Sequence, residues 1–173
     1  DRQEDIIPCM ACNICLARLF RDAELNCMVR PSLGHEREHA FGFYGFEKAE
    51  KPRKIAFVGA GIAGMQAAGI AAEKGHDVTI YDKNDHVGGQ LAAAANGPWG
   101  DDEFMRLVNY VKTMCDKNGA KFVLNKELSK EDVEKLDADE VIIATGALPN
   151  ADYPGADKKN VVSCLDVMHG KVD

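Results

Sequence analysis

Lys54-Ile55-Ala56-Phe57-Val58-Gly59-Ala60-Gly61-Ile62-Ala63-Gly64 is the stretch on which the architecture turns. Lys54 to Val58 reads as a short apolar strand, and a GxGxxG run follows at once. Ala63 to Lys74, rich in alanine, reads as a helix closed by Gly75, where a left-handed residue is wanted. Strand, glycine turn and helix in that order are the context that a dinucleotide-binding turn requires. Gly59 allows the tight turn, Gly61 lets the backbone approach a pyrophosphate, and Gly64 lets helix and strand pack closely. The N–H groups at the helix start then face the phosphates. Residues 55 to 72 carry no charge, a length that meets the threshold for a membrane helix. Four glycines, and large apolar residues gathered at its start, favour strand, turn and helix instead.

Downstream the same alternation continues. Asp77 to Asp82 is the second strand, and its terminal Asp82 lies where a carboxylate accepts hydrogen bonds from an adenosine ribose. Asp101 or Asp102 is positioned to cap a long helix. Its apolar stripe is Phe104, Leu107, Val108, Val111 and Met114 or Cys115, at spacings of three and four. Lys121 to Leu124 is a third strand. Ser129, with Glu131 and Asp132 behind it, starts a short helix to Leu136. Glu140 to Thr145 is a fourth strand whose unbroken apolar run predicts burial within a parallel sheet. The expected fold is α/β, a doubly wound Rossmann-like sheet over residues 53–173.

Upstream lie four cysteines, Cys9, Cys12, Cys15 and Cys27. Three thiols at i, i+3 and i+6 cannot pair with one another without strain. They can wrap one cubane, with the fourth thiolate arriving from a nearby loop, which is the ligand pattern of a [4Fe-4S] cluster. Structural zinc is the competitor, but its sites usually show two separated cysteine pairs. Asn13, inside the run, either bonds a cluster sulfur through its amide or caps a turn. Residues 1–30 thus form a small irregular cluster segment. Residues 31–52 form a connector whose Phe41, Phe43, Tyr44 and Phe46 either shield a redox group or pack the connector onto the next domain. His35, His39, His76, His86 and His169 show no ligand spacing and carry no catalytic assignment.

The totals exclude several classes. The 173 residues suit one domain and an appendage. A net charge of −7 gives neither the basic face that nucleic acid needs nor attraction to anionic membranes. Six cysteines without a short loop-rich scaffold point to a reducing, cytoplasmic setting rather than to disulfides. No signal peptide is expected within these residues. Beginning at Asp1 rather than Met, it reads as starting at an internal boundary or a processed end.

Two further stretches, Val87-Gly88-Gly89-Gln90-Leu91 and Ala144-Thr145-Gly146, resemble marks of the flavoproteins that bind two dinucleotides. With CxxCNxC, Cys27, the glycine turn and the tail Val161 to Lys171, they make nearly the whole chain resemble one family. It is that of the iron–sulfur flavoenzymes of the old-yellow-enzyme class, which includes 2,4-dienoyl-CoA reductase, 2-enoate reductase and trimethylamine dehydrogenase. The resemblance implies a [4Fe-4S] cluster on Cys9, Cys12, Cys15 and Cys27. It implies FAD contacts at Gly59, Gly61, Ala63, Gly64, Asp82, Lys83, Gly89, Gln90, Leu91, Leu128, Ala144, Thr145 and Gly146. It also implies electrons passing from NAD(P)H through FAD and the cluster to FMN, which reduces an activated C=C bond.

In that family an FMN-bearing TIM barrel precedes the cluster segment, and an NAD(P) domain is inserted in the FAD domain. Neither is expected within these residues, so the chain reads as the electron-transfer part of a larger, oligomeric enzyme, or as a subunit whose partner chains supply both. No residue in it is expected to act as a general acid or base. The CxxCxxC spacing is closer to the amine dehydrogenases, one type of which keeps ADP in place of FAD, whereas GGQL points toward the NAD(P)H-dependent reductases. An amine dehydrogenase, a stand-alone electron carrier, a glutamate-synthase-type small subunit and a zinc segment on an NAD-binding domain are the rival readings.

Overall fold

The computed structural model describes residues 2–37, 46–97 and 101–172. The calls on His39, Phe41, Phe43 and Tyr44, and on the side chains of Asp101 and Asp102, lie outside the described residues. In chain order the elements are a 3-10 turn Gln3–Asp5, α1 (Ile14–Leu19), β1 (Lys54–Val58), α2 (Ile62–Glu73), β2 (Asp77–Tyr81), α3 (Gly89–Ala95), α4 (Asp101–Lys117), β3 (Lys121–Val123), α5 (Lys130–Val133), β4 (Glu140–Ile143) and α6 (Cys164–Met168). The four strands form one parallel sheet in the order β3-β2-β1-β4. The chain steps outward from β1 to β3 and then crosses to the other side of β1, so the switch point falls between β1 and β4.

The core forms where apolar faces meet. Phe57 of β1 and Val78 and Ile80 of β2 point one way, and Met65, Ala68 and Ala72 of α2 cover them. Leu107, Val108, Val111 and Cys115 of α4 close that layer, which decides the last stripe position for Cys115 rather than Met114. Phe57, Met65, Ile80 and Cys115 are fully buried. Small residues permit the close stacking: a Cβ on Gly69 would stand 3.4 Å from the Cys115 sulfur. As expected, Gly75 ends α2 in the left-handed region (φ 95°), with its N–H donating to the Ala72 carbonyl. Ser129 and Asp132 form a reciprocal capping box at α5.

The fourth strand departs from expectation. Its apolar run predicts burial, yet Ile142 is 40% and Ile143 63% exposed. β4 pairs with β1 on one side, and no described strand pairs with its other side. On the sheet face opposite α2 and α4, Lys54, Ala56, Thr79 and Tyr81 line an open groove of about 140 Å³ with Leu136, Asp137 and Ala138. The charges at that end are mutually paired: Lys54 Nζ lies 2.6 Å from Asp137, and Lys121 Nζ lies 2.9 Å from Asp77.

The cysteine segment is seated on the same core rather than on one of its own. Val29 is buried within it, and Met10 and Cys27 pack against it. Lys117, at the end of α4, reaches back to Asp5 and Glu4 in the 3-10 turn. No described helix is long and apolar enough to cross a membrane.

Candidate dinucleotide site and cysteine loop

The glycine turn is built by contact with a strand distant in sequence. A Cβ on Gly59 (φ 115°) would lie 2.2 Å from the carbonyl oxygen of Ala144, at the end of β4. A Cβ on Gly64 would lie 2.1 Å from the Gly59 carbonyl. Glycine is therefore required at both positions by packing. Gly61 differs: nothing lies within 4 Å of where its Cβ would stand. It opens α2 with no side-chain cap, so the first amides of that helix lack a side-chain partner. The open space above Gly61 and those amides are what a pyrophosphate needs. Ala63 is exposed on the first turn of α2.

Asp82 stands beside this turn. Its Oδ2 accepts the Ala60 N–H at 2.6 Å, and its Oδ1 accepts from Asn84 N–H and Nδ2 at 2.8 and 3.0 Å. Both oxygens are oriented, and Oδ2, which receives one donor, retains accepting capacity. The Lys126 N–H donates to the Asp82 carbonyl, bringing the segment that leads to half-buried Leu128 to the same edge. Lys83 is exposed beside Asp82.

The Val87–Leu91 stretch is locked to the first turn. The Gly88 N–H donates to the Ala60 carbonyl at 2.8 Å. A Cβ on Gly89 would come 3.1 Å from the Gly61 Cα, and one on Gly88 would meet Val108 at 2.9 Å. This stretch opens α3, with Gly88 at its N-cap. Leu91 then packs on the core. Gln90 Nε2 donates to the Ala147 carbonyl at 2.6 Å, which ties α3 to the segment after β4. Thr145 and Gly146, exposed, occupy that segment. Gly59, Gly61, Gly64, Asp82, Gly89, Gln90 and Ala144 thus come together at the carboxyl ends of the strands, at the switch point. No periodicity announced the Asp82–Ala60 bond or the Gln90–Ala147 clasp, because their partners are backbone atoms.

Cys9, Cys12 and Cys15 are exposed and Cys27 is half-buried, and all are free thiols. The loop that carries them is bent by two residues in the left-handed region, Ala11 (φ 53°) and Asn13 (φ 57°), one on either side of Cys12. That region costs a non-glycine residue about 1–2 kcal/mol. The Ala11 N–H donates to Cys9 Sγ at 3.4 Å. Asn13 stands at the N-cap of α1, but its side chain makes no capping bond. Among the described residues no group of three or more His, Cys, Asp or Glu side chains is gathered closely enough to hold a metal ion. In donor chemistry the set fits a cluster: four thiols, with a backbone N–H already turned toward one sulfur. His76 accepts the Arg53 N–H, His86 pairs with Asp85, and His35 lies 3.9 Å from Glu24.

Residues 53–171 match the family model for pyridine nucleotide-disulphide oxidoreductase. The chain belongs to that family. It is also similar, well beyond those residues, to larger oxidoreductases of the class that the sequence resembles. Cinnamate reductase of Clostridium sporogenes is 38% identical over 97% of the chain and 24% of its own length. NADH oxidase of Thermoanaerobacter brockii is 36% identical over 99% of the chain and 26% of its own length. The structure of a 2-naphthoyl-CoA reductase in complex with 2-naphthoyl-CoA superposes with a TM-score of 0.90 at 38% identity, covering 99% of the chain and 26% of that protein. The chain spans about a quarter of the length of these relatives. Its family membership accounts for the parallel sheet and the glycine turn at its switch point.

Proposed function

We propose that this chain is the electron-transfer portion of an NAD(P)H-dependent oxidoreductase that reduces an activated C=C bond. Its 1–30 segment would hold a [4Fe-4S] cluster, 31–52 would connect, and 53–173 would bind FAD in a doubly wound arrangement. The observation that supports this best is that one short chain carries both a four-thiol segment and a formed dinucleotide turn, matched along its length to cinnamate reductase. When bound, FAD would take electrons in pairs and the cluster would pass them singly. FMN and the NAD(P) site would belong to further domains or partner chains, and a cytoplasmic, oligomeric enzyme suits the reduced thiols.

The chain's own residues position and exclude. The amides at the start of α2 and the bare Gly61 would receive the pyrophosphate. Asp82, oriented by Ala60 and Asn84, would accept from the ribose hydroxyls. The Gln90–Ala147 clasp would hold the 144–147 segment along the crevice, with Lys83, Leu91, Leu128, Thr145 and Gly146 lining the remainder. Cys9, Cys12, Cys15 and Cys27 would ligate the cluster. Anaerobic purification with iron, sulfide and zinc assays, and acid release of the nucleotide, tests this. Iron and sulfide near four each per chain, with FAD or ADP, are expected for a [4Fe-4S] site. Zinc without sulfide, or NAD as the sole nucleotide, would refute it.

A further inference from the structure

Asp82 has room for fewer partners than a free carboxylate. An ionised carboxylate offers about four accepting positions, about two on each oxygen. Asn84 fills those of Oδ1, with its backbone N–H at 2.8 Å and its side-chain Nδ2 at 3.0 Å. Oδ2 accepts the Ala60 N–H at 2.6 Å, and no other described group donates to it. The residue is also rooted at its backbone. Its N–H donates to the Val123 carbonyl and its carbonyl accepts the Lys126 N–H, so β3 and the segment after it hold it from one side. About one accepting position is therefore left, on the oxygen already bonded to the glycine turn. A ribose, by contrast, carries two neighbouring hydroxyls, at 2′ and 3′.

We infer that Asp82 grips one ribose hydroxyl, through Oδ2, and that the Asn84 side chain is what limits it to one. This rests on the reading of the glycine turn as a site for an adenosine diphosphate group, and it narrows the part that Asp82 plays there. The second hydroxyl meets an occupied oxygen. To reach Oδ1 it must displace Nδ2, so one hydrogen bond is lost for each one formed and affinity gains little. Asn84→Ala removes Nδ2 and keeps the backbone N–H, so Oδ1 stays oriented and gains a vacancy. Asn84 is exposed, so its truncation leaves the core intact.

The test titrates ADP, 2′-deoxy-ADP and 3′-deoxy-ADP into the full chain and into Asn84→Ala by calorimetry, with the melting temperature as a fold control. In the parent, one deoxy analogue is expected to bind about tenfold more weakly than ADP, the size of a lost bond to a charged group, and the other within about twofold of it. In Asn84→Ala, both analogues are expected to fall at least about fivefold below ADP. The change between the two proteins decides, because any effect of deoxygenation on the sugar itself is common to both. Two weak analogues in the parent, or an analogue that stays indifferent in Asn84→Ala, overturn the inference while leaving the nucleotide site standing. ADP that binds no better than either analogue removes Asp82 as the ribose acceptor, and the inference with it. A parent chain that binds no ADP sinks the dinucleotide reading itself.

Discussion

Gly61 and Gly64 stand three residues apart, and the structure gives them opposite reasons for being glycine. The Cβ of alanine at 64 would press on the Gly59 carbonyl, so Gly64→Ala must force β1 and α2 apart. A loss of about 1–3 kcal/mol of stability is expected from such overpacking, read by thermal or urea unfolding. Alanine at 61 meets open space at an ordinary backbone angle (φ −71°). Gly61→Ala should therefore unfold within about 0.5 kcal/mol of the parent while binding FAD or ADP more weakly in a titration. Equal losses of stability in the two variants would remove the assigned division of labour. Cys115 offers a second check. Burial pushes its thiol up to about 12, and its sulfur donates to the Met65 carbonyl at 3.1 Å. In the metal-free folded chain at about pH 8 it should resist alkylation while exposed Cys9, Cys12, Cys15 and Cys164 react, as peptide mass spectrometry would show.

Among the elements, the 3-10 turn Gln3–Asp5 is held to the end of α4 by charge. The hydrogen bond from Lys117, then that from Arg2, lowers the Asp5 carboxyl below its ordinary 3.8, and Asp5 in turn raises Lys117 above 10.5. A depressed carboxyl stabilises above its unfolded pKa and loses that contribution as pH falls through the folded value. A raised ammonium stabilises below its unfolded pKa and loses it as pH rises through the folded value. Docking of residues 3–6 should thus be insensitive to pH between those limits and loosen beyond either. Lys117→Met should loosen it throughout, as hydrogen exchange of those amides would report. The physics that holds this turn also explains what the sequence left hidden. The α4 stripe was legible because burial of Leu107, Val108 and Val111 imposes a period, and β1 and α2 because a short apolar run, a glycine turn and Gly75 mark their bounds. The helix α1 was not, because its six residues bury nothing and begin at a backbone bend rather than at a capping side chain. The helix α3 was masked by Gly88 and Gly89, which packing against Val108 and Gly61 requires.

Taken whole, the molecule has a finished side and an unfinished one. The finished side lies under α2 and α4. The unfinished side is the outer edge of β4, with Ile142, Ile143 and, beyond them, Leu148 at 89% exposure. An apolar, unpaired strand edge is a template for association. The 173-residue chain alone should self-associate and bind a hydrophobic dye, and Ile143→Lys should reduce both, by light scattering and fluorescence. A monodisperse parent that binds no dye would show this edge to be harmless. The apolar run of β4 was read correctly, but its neighbours were not, because a strand's composition does not say how many partners it has. The same strand also governs timing. Lys54 is bonded to Asp139, 85 residues downstream, and Ala144 closes the glycine turn directly after β4. On a ribosome adding 5–20 residues per second, the turn therefore waits about 4–17 seconds after it emerges for the strand that completes it. The cysteine loop leaves the exit tunnel earlier still, so a nascent chain offers its thiols well before it can hold a nucleotide.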